Sequence, residues 1–304
     1  MVKFNADVAV NNQKLSELSL LSSFTDMKLI NRTHKTVTAI DQDAGVTFRM
    51  EGSGLVYKGS IPKVGIIKSI EVVVDGDVHY ELTNLLISVS NMDHYFSKSF
   101  PALSKQIFSG NDTIKGSEEG DVLYGYKGQD KINGNDGDDG INGGKGADTV
   151  KGGVGNDSIL GAGGSDNLKG NNGDDTIGGG GGSDTINGGV GNDILTGNKG
   201  FNTFVFNSAL DEATNVDTIT DFKSGGDAID LALKIFSGLS RKGVLKAKEF
   251  AIGTHATDAD QRIIYDDTTG ATYYDADGNG GGAQVQFATL STHLAMSNTD
   301  FFVI

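Results

Sequence analysis

Stepping by nine from Asp112, the chain places Asp121, Asp130, Asp139, Asp148, Asp157, Asp166, Asp175, Asp184 and Asp193, and the eleventh position is Asn202. Two residues beyond each stands an apolar side chain, from Ile114 and Leu123 to Leu195 and Phe204. Glycine stands five before each of these positions except at Ile107, and two before each except at Glu119. A disordered linker keeps no phase, and collagen needs glycine at every third residue, so neither explains three positions held in step. The chemistry open to this array is cation binding. Carboxylates stacked one strand apart, about 5 Å, repel unless something sits between them. Calcium takes 6–8 oxygens from carboxylates and carbonyls, whereas magnesium demands tighter octahedral geometry and zinc prefers nitrogen and sulfur. The chain has no cysteine.

Nine residues divide into a six-residue turn, GGxGxD, and a three-residue strand whose middle residue faces inward. Glycine permits positive φ in the turn and lets carbonyls point into a common space. If two units make one coil, Asp112, Asp130, Asp148, Asp166 and Asp184 line one edge of a flattened solenoid. Asp121, Asp139, Asp157, Asp175 and Asp193 line the other. Pairing along the edges gives about eight calcium ions, with Asp184 and Asn202 as a weaker ninth site. A core of eleven side chains is thin against the entropy of ordering so many glycines. The segment is therefore expected to be largely unfolded without calcium, binding and folding being one event.

The pattern from IFSGNDTIK to GNKGFNTFV closely resembles the RTX (repeats-in-toxin) nonapeptide family, over about a third of the chain. That resemblance implies an all-β fold with a parallel β-roll that binds calcium. It also implies export of the unfolded chain by type I secretion machinery and folding outside the cell. It says little of activity, because the family appends the roll to proteases, lipases, toxins, epimerases and adhesins.

Residues 207–304 are similar to the domain that follows the roll in serralysin-type proteases, which implies a cap on the last coil and an uncleaved secretion signal. Asp300, Phe301, Phe302, Val303 and Ile304 look like that signal. Alternating apolar runs around DDTTG predict a hairpin, Ile263–Tyr265 facing Ala271–Tyr274. DADGNG sets oxygens at Asp275, Asp277 and Asn279 in a calcium-loop spacing, and a turn without metal fits the same letters. No Glu stands at the twelfth position, where Gln286 does, so it is not an EF-hand.

Residues 1–106 read as a β-rich domain, with strands suggested in 45–50, 54–59, 65–74 and 78–90, a turn at 75–77 and short helices in 12–22 and 91–106. Neither HExxH nor GxSxG occurs, and His34, His79 and His94 lack an evident catalytic partner; Asp77 and His79 read better as surface residues. The net charge of −15 opposes binding to nucleic acid or anionic membrane. The start carries no cleavable signal peptide, and no stretch is long and apolar enough to span a membrane.

The expectation is therefore a secreted calcium-binding protein of three parts. Residues 1–106 form an N-terminal contact domain, 107–206 the roll, and 207–304 a capping and secretion domain. Its role is expected to be non-enzymatic, with extracellular polysaccharide, a host surface or matrix as the partner. A polysaccharide-acting enzyme using the roll as an auxiliary module, and a self-assembling surface or matrix protein, are the alternatives.

Overall fold

Each nonapeptide turns one glycine-rich corner and lays down one short strand, so consecutive strands fall alternately into two sheets. This computed structural model describes residues 110–116 and 118–304, together with the backbone of strands between Lys3 and Ser88. In the roll the first sheet holds Thr113–Lys115, Lys131–Asp136, Thr149–Val154, Asn167–Asn172, Thr185–Val190 and Thr203–Phe206. The second holds Val122–Tyr124, Gly140–Lys145, Ser158–Gly163, Thr176–Gly181 and Ile194–Lys199. Neighbouring strands are parallel and 18 residues apart in sequence. Ile132 lies between Ile114 and Val150, and Ile141 between Leu123 and Ile159.

The apolar residue of every unit is inside. Ile114, Leu123, Ile132, Ile141, Val150, Ile159, Leu168, Ile177, Ile186, Leu195 and Phe204 are each at most 3% exposed. The second turn position is left-handed even without glycine, as at Asn135 (φ 88°) and Asn171 (φ 84°), a region Asn tolerates better than most residues. Gly155, at φ 130°, takes a backbone conformation that other residues adopt only under strain.

Both sheets continue past the nonapeptides. Asp217–Ile219 adds to the second sheet beside Ile194–Lys199, with Ile219 opposite Leu195. Ala228–Leu231 adds to the first, with Ile229 opposite Phe204. Phe301–Val303, near the C-terminus, pairs parallel with Ala228–Leu231, and Gly243–Val244 follows antiparallel. On the second sheet Val285–Thr289, Ala271–Tyr274, Ile263–Tyr265 and Phe250–Ile252 complete the order. The expected hairpin is present, Ile263 opposite Tyr274. Here the core widens: Phe206, Phe236, Phe287 and Tyr274 meet edge to face at 5.0–5.2 Å.

Before the roll, Lys28–Arg32, Thr36–Asp41, Val46–Lys58, Ile61–Val74 and Asp77–Thr83 form an antiparallel meander. Val74 faces Asp77 across the turn expected there. Lys3–Ala6 pairs with Asp77–Thr83 and, in parallel, with Thr113–Lys115, making the meander continuous with the first sheet. The helices expected in 12–22 and 91–106, and His34 and His94, lie outside the described residues, as do the side chains of Asp77 and His79. Among the described residues no helix is long and apolar enough to cross a membrane.

Candidate metal centre

The corners bring same-edge aspartates into two ladders. The backbone N–H of each donates to Oδ1 of the aspartate 18 residues later. Asp112 bonds to Asp130, Asp130 to Asp148, Asp148 to Asp166 and Asp166 to Asp184 at 2.7–2.9 Å. On the other edge the chain runs from Asp121 through Asp139, Asp157 and Asp175 to Asp193 over the same range. All ten are at most 3% exposed.

That ladder uses one carboxylate oxygen and leaves the other. Oδ2 of Asp130, Asp139, Asp148, Asp157, Asp166, Asp175, Asp184 and Asp193 is buried without a hydrogen-bond partner. A buried, unsatisfied carboxylate oxygen is costly, so eight in one element signal a missing counter-charge. The surroundings of each oxygen repeat as well. A Cβ placed on Gly143 would stand 2.6 Å from Asp148 Oδ2 and 3.0 Å from the Gly161 carbonyl of the next same-edge turn. On Gly161 it would meet Asp166 Oδ2 at 2.5 Å and Gly179 O at 2.6 Å. The same pair of oxygens, an aspartate Oδ2 and the carbonyl thirteen residues later, meets beside Gly116, Gly125, Gly134, Gly152, Gly170 and Gly179. There are thus eight such cradles among the described residues, four on each edge. The glycine is required because any side chain would fill the space.

The donor set suits calcium, which accepts carboxylate and carbonyl oxygen together at 2.3–2.6 Å. Among the described residues no three His, Cys, Asp or Glu side chains converge on one point, so the backbone must supply the remaining ligands. Without a cation the carboxylates resist ionising. Burial, opposed by the backbone N–H bond and reinforced by neighbouring aspartates, pushes Asp130, Asp139 and Asp175 up to about 7. It pushes Asp157 and Asp166 up to about 6 and raises Asp148 and Asp184.

The roll is the match to a known family: the model of the RTX calcium-binding nonapeptide repeat (4 copies) fits residues 107–141, 134–168 and 169–204. About a third of the chain thus matches that repeat. Among solved structures the chain is similar to the extracellular lipase of Serratia marcescens, at 18% identity and a TM-score of 0.29. That match covers 64% of this chain and 38% of the lipase, so the chain spans well under half of that protein's length. It is also similar to a subunit of the mannuronan C5-epimerase of Azotobacter vinelandii, at 26% identity, with a TM-score of 0.25, covering 52% of this chain and 78% of that one. No curated protein sequence matches.

Asn202 takes the RTX position on the last rung: its Oδ1 accepts from Asp184 N at 3.0 Å. Its Nδ2, a donor, then points beside Gly197, where an aspartate would present an oxygen. Asp275, Asp277 and Asn279 share a turn in which one side-chain atom of each is hydrogen-bonded to backbone. Asp275 Oδ1 accepts from Asp277 N and Gly278 N, and Asp277 Oδ2 from Gly282 N, at 2.9–3.2 Å. Asn279 Nδ2 donates to Thr257 O.

Two features escaped sequence reasoning. Asp217 and Asp227 extend the two ladders, Asp217 Oδ1 accepting from Asp193 N at 3.3 Å and Asp227 Oδ1 from Asn202 N at 2.8 Å. An exposed ladder also runs in the opposite sense through the residues just before the aspartates. Asp138, Asn156, Asp174 and Asn192 accept from the N–H of Asn156, Asp174, Asn192 and Val216 at 2.7–3.1 Å.

Proposed function

We propose that the chain is a secreted calcium-binding protein whose roll folds when calcium enters the cradles between same-edge turns. The observation that carries this reading is the sevenfold recurrence, from Asp130 to Asp184, of a buried, unpartnered aspartate oxygen beside a carbonyl and a glycine. Asp121, Asp130, Asp139, Asp148, Asp157, Asp166, Asp175 and Asp184 hold about eight ions with the facing carbonyls, and Asn202 holds a rung without binding metal. Export runs through type I machinery while the chain is unfolded, and the calcium-rich exterior then drives folding. Residues 207–304 cap the roll and carry the export signal. Far-UV circular dichroism of the full chain tests the switch. At pH 7.5 strand signal rises on adding calcium and falls on chelation; a strand spectrum unchanged by chelator at that pH opposes the reading.

The role is non-enzymatic, and an acidic extracellular polysaccharide is the partner the roll's surface favours. Four of the seven lysines of the roll lie on the first sheet, and the other three lie where the second sheet meets the Asp112 edge. Lys115, Lys151 and Lys169 share one outward column of the first sheet, with Lys131 on the adjacent column; Lys145 and Lys199 end second-sheet strands and Lys127 bridges to Lys145. The second sheet shows Tyr124, Asn142, Leu160, Gly178 and Thr196 in the equivalent column. Retention of the calcium-loaded chain on an acidic but not a neutral glycan, weakened by salt and by Lys131→Gln with Lys151→Gln, supports this contact. Equal retention on both glycans opposes it.

A further inference from the structure

The two ladders end differently. On the Asp112 edge the chain supplies its own cation. Lys223 Nζ donates to Asn198 O in the last turn, where the amide of Asn202 has already replaced a carboxylate. Asp227 spends one oxygen on Asn202 N and the other on Lys223 N at 2.9 Å, and Asp221 accepts from Gly197 N and Asn198 N. Both oxygens of Asp221 and of Asp227 are thereby hydrogen-bonded.

The other edge ends at Asp193 and Asp217, which are 1% and 4% exposed. Asp217 Oδ1 accepts from Asp193 N, as each repeat aspartate does for its predecessor. Asp193 Oδ2 is buried without a partner, and a Cβ on Gly188 would fall on it, with the carboxylate of Asp217 rather than a turn carbonyl as the facing group. The neighbours that act on Asp217 are the carboxylates of Asp193 and Asp175, and among the described residues neither Asp193 nor Asp217 makes an ion pair. The turn that delivers Asp217, residues 212–217, has no glycine. Asn215 holds it in register, its Oδ1 accepting from Gly191 N and its Nδ2 donating to Ala209 O. Val216 N donates to Asn192 Oδ1, continuing the outer ladder.

We infer that Asp217, which lies outside the nonapeptide repeats, completes a further calcium site with Asp193 at the C-terminal end of this edge. The site joins the last repeat to the segment that caps it, so metal occupancy fastens the cap to the second sheet, where Asp217–Ile219 also pairs with Val285–Thr289. On the opposite edge Lys223 does the same work without metal. This inference rests on the calcium reading of the roll.

Native mass spectrometry of the full chain at saturating calcium separates the two claims. Asp217→Asn keeps an acceptor for Asp193 N, as Asn202 does for Asp184 N, so the rung survives while the second carboxylate oxygen is lost. Asp217→Asn, Asp193→Asn and the double variant are each expected to hold one ion fewer than the native chain. Asp193→Asn reports on the site from the repeat side, so a folding defect confined to 212–217 does not decide the result. The native ion count in either single variant overturns the inference, as does loss of two ions in the double variant. A native chain that holds no calcium overturns the underlying reading instead.

Discussion

In the roll, seven buried aspartate oxygens face carbonyls and no donor. In residues 218–304 the buried Asp300 and Asp266 are served by their own chain. Asp300 accepts from Gly225 N and Ser297 N at 2.7 Å, and Asp266 from Thr268 N and Oγ1 at 3.0 and 2.7 Å. The apolar cores differ in the same direction. The roll stacks one side chain per strand, whereas the C-terminal segment gathers Phe206, Phe236, Phe287 and Tyr274 into one cluster. Short parallel strands are common to both regions, so strand geometry does not decide what drives folding. The source of the counter-charge and the depth of the core do.

Acidity should separate the regions most widely. In the roll, Asp130, Asp139 and Asp175 rise to about 7, and Asp157 and Asp166 to about 6, from 3.8. The folded, metal-free roll therefore binds protons that the unfolded chain has released. Its stability is greatest near pH 4 and is lost as pH rises through about 6–7. Asp266, lowered by its Thr268 hydrogen bonds, contributes in the opposite sense, and its share is lost as pH falls through its folded value. Thermal melts in chelator at pH 5 and pH 7.5 should show a roll transition only at the lower pH. A roll transition that is stronger at pH 7.5 breaks the comparison.

A substitution in the deeper core comes next in size. Phe287→Ala should cost about 3–5 kcal/mol in the C-terminal segment while leaving the calcium count unchanged, as read by calorimetry and native mass spectrometry. A change in the ion count would mean that the aromatic cluster and the cradles are one cooperative unit. Gly161→Ala places a methyl between Asp166 Oδ2 and Gly179 O, and should remove one ion and cost about 1–3 kcal/mol. Gly281→Ala, in a C-terminal loop with nothing within 4 Å of the added carbon, should stay within about 0.5 kcal/mol of the parent. Equal effects from the two glycine substitutions would remove the distinction between cradle and loop.

The roll was legible because its period is strict: a step of nine marks every aspartate, and the offset of two marks every core residue. The outer ladder was hidden by that same step, since Asp138, Asn156, Asp174 and Asn192 recur every eighteen residues, while the other edge uses Asn111, Ser165 and Ser183 in the same place. Asp217 and Asp227 carry the signal too, each two residues before an isoleucine. Inserted loops move them 24 and 25 residues beyond their partners, out of phase with the count. The spacing in DADGNG could not show that Asp275 and Asp277 each turn one oxygen onto an amide of their own turn. The end of the Asp112 edge depends on which atom of Asn202 faces Asp184, and a one-letter code does not carry that.

Amide hydrogen exchange of the full chain, with calcium and with chelator at pH 7.5, tests the central claim most directly. The account predicts that strands from Lys131–Asp136 to Ile194–Lys199 are protected in calcium and exchange as unfolded chain in chelator. Comparable protection of those strands in both conditions would contradict it, because the roll would then stand without the ion its oxygens await.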